Sequence, residues 1–442
     1  MRFLSRASAL AGSLVLIFAL AACGTNDGQG SGGVGGATGA PGSAQPDTGS
    51  AAPGSAAPAA DISGDLRVWG MGNEGAMLDS LADAFMEQYP NVTVNVTPVA
   101  WDQAVTKLQA GIAGGEVPDV SQMGTDMMGQ FAKTGALEAV PSSIDPSQYF
   151  EGAWNTNVVD GTAYGVPWYV ETRLLYYRTD IAEQAGVTAA PANWQELKDA
   201  ATKMKSAGGA EWGIALGTKN SQEYLPFVWS NGGDVMADDG TFTLDSPEAV
   251  EALTFYDSFF EEGLTAKSVP EGFDITPAFV SGTHPMFFSG PWHLGLIKDA
   301  GGADIEGKWA IAPMPGKDSA PGTSFVGGSN FVVFKDAPNK DAAWAWIDFV
   351  SRPETQVAWY KTATVLPAVQ AAWDDPELSS DENLAMFGDQ LAKTAAPPAI
   401  STWAEIATSI NENLEKVTVG DTSPEEGAAA MEEAATAVGT GQ

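Results

Sequence analysis

One cysteine and two histidines are spread over 442 residues. A single thiol cannot close an intramolecular disulfide. His284 and His293 have neither helical pair spacing nor acidic neighbours in the chain, so a zinc centre is not expected. Basic side chains are also scarce: 21 Lys and Arg stand against 56 Asp and Glu, a formal charge of −35. Cations so few and so scattered cannot build a phosphate-binding surface, which excludes nucleic acid and anionic headgroups as partners. No GxSxG nucleophile elbow occurs, since "GGSNF" at 327–331 lacks the closing glycine. No cofactor is implied by any of this. The acidity argues for solubility and for a neutral or cationic ligand.

The position of the lone cysteine is informative. Arg2 and Arg6 give a basic start, the uncharged apolar run "ALAGSLVLIFALAA" follows, and "LAAC" ends on Cys23. This is the layout of a secretory signal peptide at 1–22, with an apolar run too short to span a bilayer comfortably. "LAAC" resembles the lipobox of bacterial lipoproteins, which implies that Cys23 is acylated and becomes the new N-terminus. Residues 24–60 contain no aromatic, no Lys or Arg and one valine. Such a composition buries too little apolar surface to offset chain entropy, so 23–60 reads as a disordered Gly/Ala/Ser/Pro tether. As a flexible coil it would span roughly 30 Å.

From Asp61 the composition turns globular, with enough length for two domains or lobes. Hydrophobic periodicity predicts a strand at 65–69, a helix at 75–90, a strand at 91–99, a helix at 101–115 and a strand at 119–123. This βαβαβ order implies a parallel sheet covered by helices. Further helices are expected at 193–206, 247–262 and 340–351, strands at 212–216, 284–288 and 329–334, and nearly continuous helix over 381–437. Trp344, Trp346 and Trp359 read as core.

Gly70-Met71-Gly72-Asn73-Glu74-Gly75 matches GxGxxG between a strand and a helix, the context of a dinucleotide site. The second strand, however, offers no acidic residue for a ribose before Asp102. The motif therefore reads as a tight ligand-facing turn at a helix start.

"AYGVPWYVETRLLYYRTD" (163–180) is an apolar run interrupted by Glu171 and Arg173. Two residues apart on a strand, these side chains share a face. They form either an internal salt bridge or part of a binding surface, because buried charges persist only when paired or used.

The order of several segments resembles that of extracellular solute-binding proteins of carbohydrate ABC transporters, the group that includes maltose-binding proteins. The matching pieces are "EVPDVSQMGTDMMGQFAKTGALEAV" (116–140), "AYGVPWYVETRLLYYRTDI" (163–181), "PANWQELKDAATKM" (191–204), "FVSGTHPMFFSGPWHLGLIK" (279–298), "VGGSNFVVFKDAPNKDAAWAWIDFVSRPETQVAWY" (326–360) and "STWAEIATSINENLEKVTVG" (401–420). The resemblance implies an α/β, two-lobed periplasmic-binding-protein-like fold of type II, with the ligand cleft between hinged lobes. Lobe 1 would comprise 61–170 and 313–366, lobe 2 171–312 and 367–442. It also implies an oligosaccharide ligand, ABC permease subunits as partners, and a monomer anchored outside the cell membrane through its lipid.

Residue by residue, Asp126 matches an acidic position that bonds sugar hydroxyls, while Met127 stands where maltose-binding relatives carry an arginine. Glu171 matches an acidic residue of the crossing strand, and Arg173 an arginine of some branches. Trp292 and Trp403 match aromatic stacking positions. Gly327 and Gly328 look like a loop whose backbone approaches the ligand; Trp101 and Glu223 are further candidates. These residue types suit a pyranose, whose C–H face packs on an indole and whose hydroxyl rim takes charge-assisted hydrogen bonds. Bland readings stand beside them. Trp403 opens an apolar helix face continuing through Ala407, Ile410, Leu414 and Val417, and Asp126 could be a helix cap. Two other functions remain open: a surface glycosidase using two of the many carboxylates, and a binding protein for a cationic or peptide solute.

Overall fold

The computed structural model describes residues 62–270 and 273–441; the signal-like start, Cys23 and the expected tether lie outside them. Strand β1 (Gly64–Met71) runs parallel to β2 (Val92–Val99) in the register Gly64↔Val92 to Met71↔Val99. Between them, the helix expected at 75–90 is two helices, α1 (Gly72–Met77) and α2 (Asp79–Gln88). Leu78 at the break is fully buried. Helix α3 (Trp101–Gly114) stops at Gly115, which adopts the left-handed conformation a C-terminal glycine allows. Strand β3 (Val120–Gly124) then lies parallel to β1. The βαβαβ reading therefore describes the first half of the sheet.

Strands β4 (Val166–Thr172) and β5 (Leu174–Arg178) are separated by Arg173 alone, yet belong to different sheets. After β5 come helices α4 (Trp194–Ser206), α5 (Ser221–Ser230) and α6 (Pro247–Glu261). The strand expected at 212–216 does not form; Ala215 makes a single bridge to Phe287 beside β6 (Met286–Ser289). Helix α7 (Trp292–Gly301) and β7 (Trp309–Ala312) complete this half. The chain returns on β8 (Ser324–Val333), followed by α8 (Lys340–Val350), α9 (Pro353–Ala363), β9 (Leu366–Pro367), α10 (Glu382–Leu391) and β10 (Thr394–Ala395). It ends with α11 (Trp403–Thr418) and α12 (Pro424–Val438).

The larger sheet has seven strands, in the order β9-β4-β8-β3-β1-β2 with β10 beside β8. Strand β8 is antiparallel to both β3 and β4, so the sheet is mixed. The smaller sheet is β6-β5-β7, all antiparallel. Trp168, Phe331 and Trp359 stack at the heart of the larger sheet's core, with ring centroids 4.4 and 5.3 Å from Trp168. Trp346 is fully buried in the same core, whereas Trp344 is only partly buried. A second core gathers Phe227, Tyr256 and Phe260 with Ile410, Leu414 and Met431.

Two boundaries differ from the expectation. Glu171 and Thr172 still pair in the larger sheet, with Gly327 and Val326, so the first crossing falls on Arg173. The third crossing, expected at 366/367, lies beyond β10. Strand β9 pairs with β4, Val369 N donates to Gln356 Oε1, and Leu384, Phe387 and Leu391 of α10 enter the core around Trp168. Of the helices after β9, α11 and α12 supply the buried residues of the second core. The helix expected over 381–437 is broken at 392–402, where Pro397 and Pro398 lack N–H donors and their rings block the preceding turn. Among the described residues no helix is long and apolar enough to cross a membrane.

Candidate functional site

Arg173 occupies the single position between the two sheets, and its backbone is clamped. Its N–H donates to Ser324 Oγ at 3.3 Å, and Ser324 Oγ donates back to its carbonyl at 2.8 Å, tying the outgoing chain to the first residue of β8. The side chain reaches in both directions. Nη2 donates to Glu171 Oε1 at 3.2 Å in the larger sheet, and to Gln222 Oε1 at 3.3 Å on α5. The guanidinium carbon sits 4.8 Å from the ring centroid of Trp292 and 5.7 Å from that of Phe325. Glu171 and Arg173 thus form an ion pair, one of the two readings that their spacing left open.

Around this pair the strand ends of the larger sheet collect acidic and aromatic groups. Glu74 lies on α1, and its carboxyl is pushed up by burial, helped by the nearby charge of Glu171 and opposed by hydrogen bonds from its own backbone and the Trp101 side chain. Trp101 opens α3 and lies against Gly72, where a Cβ would come within 2.4 Å of the indole. Asp126 sits in the one-turn segment Thr125–Met127 after β3. It does not cap the following helix, whose N-cap is Met127; its carboxyl is raised by burial and held by its own and Met127's amides, with Glu171 adding to the rise. The Tyr169 hydroxyl is raised far beyond its ordinary value by burial, then by Glu74 and Glu171.

The other half supplies Gln222, Glu223, Trp292 and Trp403. Glu223 Oε2 accepts from Gly217 N at 2.7 Å; burial raises its carboxyl and Arg173 opposes the rise. Trp292 is 39% exposed, whereas Trp403 is only 6% exposed. Trp403 belongs to the second core and at the same time lines a cavity of about 210 Å³ with Asp126, Gln222 and Phe325. A second cavity of about 390 Å³, lined by Arg173, Glu223 and Trp292, shares Asn220 and Gln222 with the first.

Gly327 and Gly328 correct the sequence reading: they are not in a loop but inside β8, paired with Glu171 and Val170 of β4. A Cβ on Gly327 would stand 2.8 Å from Glu171 Oε1. Gly328 has φ +127°, and a Cβ there would stand 2.2 Å from the Tyr169 carbonyl, just before the register shift at Ser329/Asn330. These glycines make room for Glu171 and Tyr169.

The GxGxxG motif has a packing explanation. A Cβ on Gly75 would lie 2.3 Å from the backbone of Gly70, so the strand end and the helix start touch directly. What the motif contributes to the cleft is Glu74, which sequence reasoning passed over because the glycines drew the attention. Tyr169, Gln222 and Phe325 were also missed, although each neighbours a residue that was singled out. His284 and His293 are buried, and burial lowers both pKa values, leaving neutral rings. Among the described residues no group of three or more His, Cys, Asp or Glu could hold a metal ion.

Known proteins share this architecture. The sugar-binding protein MalE of Xanthomonas citri superposes with a TM-score of 0.81 at 30% identity, covering 85% of this chain and 97% of its own. A binding protein of Brucella abortus is 29% identical over 360 residues, 79% of this chain and 87% of that protein. The maltotriose-binding protein of Pyrococcus abyssi is 26% identical over 374 residues, 80% of this chain and 78% of its own length. The chain shares the two-lobed type II fold of such sugar-binding proteins, built here on two sheets that adjoin at Arg173. The model of bacterial extracellular solute-binding proteins matches residues 70–357, and the chain belongs to that family.

Proposed function

We propose that this protein captures a neutral oligosaccharide, a di- or trisaccharide of the maltose or α-glucoside kind, and delivers it unchanged to the permease of an ABC importer. The observation that carries this reading is the placement of Arg173 at the crossing between the sheets, bonded to Glu171 on one side and to Gln222 and Trp292 on the other. A sugar seated there would meet carboxylates and a guanidinium at its hydroxyl rim and indole at its C–H face. Rotation about the clamped strands would close the lobes over it. Asp126, Glu171, Arg173, Trp292 and Trp403 are the central contacts in this proposal, with Trp101, Glu223, Gly327 and Gly328 shaping the cleft. The names of the maltose-type relatives support the same ligand class. Acylated at Cys23, the protein works as a monomer outside the cell membrane, held near its permease.

Calorimetry and tryptophan fluorescence against mono-, di- and trisaccharides test the reading. Saturable binding without hydrolysis is expected, and silence across the panel overturns it. One observation favours a cationic solute instead: Glu74 and Asp126 lie within the field of Glu171, while Arg173 alone offsets Glu171 and Glu223. Response to polyamines or basic peptides with no response to sugars would select that reading. Turnover of a chromogenic glycoside, lost in Glu171→Gln or Asp126→Asn, would select a hydrolase.

A further inference from the structure

The larger cavity does not resemble a sugar site throughout. Near its shared edge it offers Arg173, Gln222 and Glu223, but its inner wall is lined by Leu216, Ile275, Phe287 and Phe288, with Val269 and Phe273 at its exposed mouth. Most polar groups along the wall are already engaged, and the buried atoms left without a partner are Arg173 Nη1 and His284 Nε2. Thr265 Oγ1 accepts from Leu216 N at 3.1 Å, and Glu223 Oε2 from Gly217 N at 2.7 Å. Ser289 Oγ pairs with His293 Nδ1 at 2.7 Å, and Thr283 Oγ1 with His284 Nδ1 at 3.2 Å. A pyranose entering this depth would surrender the water on its hydroxyls and find few free partners. A hydrocarbon ring would need none.

The surface around the mouth points the same way. Among the described residues five large apolar side chains are exposed, and four of them cluster here. Val269, Phe273 and Trp292 line the cavity, and Leu296 lies one turn beyond Trp292 on α7. Clustered exposed apolar groups beside a concave site mark a surface kept for a ligand.

We infer that this cavity holds the apolar aglycone of a glycoside, an aromatic group carried by a sugar that itself lies among Asp126, Glu171 and Arg173. The inference rests on the carbohydrate reading above and narrows it to glycosides with a flat hydrophobic substituent. Continuity of the two cavities at Asn220 and Gln222 lets one molecule occupy both.

Paired methyl and 4-nitrophenyl glycosides of glucose, maltose, cellobiose and lactose, titrated by calorimetry, test it. In whichever pair binds, the 4-nitrophenyl member should bind at least about tenfold tighter, from burial of its ring. Val269→Asp and Phe273→Ser, both at the exposed mouth, should each remove most of that advantage while methyl-glycoside affinity stays unchanged. Leu296→Asp, outside the cavity, should alter neither. Equal affinities within a binding pair, or a preference that survives both mouth variants, overturn the aglycone assignment and leave the sugar reading standing. Absence of binding by every member of all four pairs removes both.

Discussion

Arg173 and Glu171 are two residues apart in the chain, and their side chains meet at 3.2 Å just where the backbone passes from one sheet to the other. Their side chains are only 13% and 32% exposed. Charge pairs this sheltered are costly to break one partner at a time. Arg173 also lines the cavity of about 390 Å³, so in the proposed function this pair would couple the lobe geometry to the ligand.

Glu171→Gln keeps the shape and removes the charge, so it separates these roles. With hydrogen bonds to charged groups worth about 1.5–3 kcal/mol, sugar affinity should fall about 10- to 100-fold while circular dichroism stays unchanged. Arg173→Ala should lose at least as much, and it also strips the cation from the face of Trp292. Calorimetry reads both variants; undiminished affinity in Glu171→Gln would remove this residue from the site.

Gly328→Ala should destabilise the fold itself. A residue with a Cβ must either hold φ near +127° or push back the Tyr169 carbonyl. Strain of this kind costs about 1–3 kcal/mol. Thermal unfolding should show a lower Tm, and a variant as stable as the parent would mean that β8 relaxes freely.

Asp257 is buried on α6, its Oδ1 has no partner, and burial, with some help from Glu261, pushes its carboxyl from 3.8 up to about 6. A raised carboxyl binds its proton more tightly in the folded state, so stability falls as pH rises from about 4 through 6. Asp257→Asn should therefore be more stable than the parent at pH 7, by about 1–2 kcal/mol once solvent screening is allowed for. The gap should close as pH falls toward 4. Urea unfolding across that range checks the sign, and a variant less stable at pH 7 would refute it.

Cys23→Ser tests the proposed separation of anchor and site. The protein should be released from the membrane or remain unprocessed, and sugar affinity of the soluble head should not change. Fractionation and calorimetry read the two halves, and a loss of affinity would show that anchor and site are coupled.

Legibility in the sequence followed the range of the interactions. β1 to β3 with α3 could be read because alternation and helical period are local properties of the chain, imposed by which side chains face water. The nearness of Glu171 and Arg173 followed from their spacing of two in the same way. Trp346 and Trp359 were recognisable as core from their helical surroundings.

Other features depend on contacts between distant residues. Nothing near Gln222 announces that its side chain meets Arg173, 49 positions earlier. Gly327 and Gly328 look like loop residues until β4 is placed beside them. The apolar helices before and after the third crossing have the same periodicity, so only the pairing of β9 with β4 decides that α10 packs with the larger sheet. Trp403 is core and cavity wall at once, which no helical pattern can distinguish.

By itself the sequence determined an acidic α/β protein, and it placed Glu171 and Arg173 two positions apart where an ion pair or a binding surface could form. The tertiary structure alone decided that this pair stands at the crossing, that Glu74 and Tyr169 converge on it, and that two cavities meet at Gln222. Periodicity is written into neighbouring residues, whereas a cleft arises only when segments hundreds of residues apart bury their apolar faces together and leave their polar ends opposed.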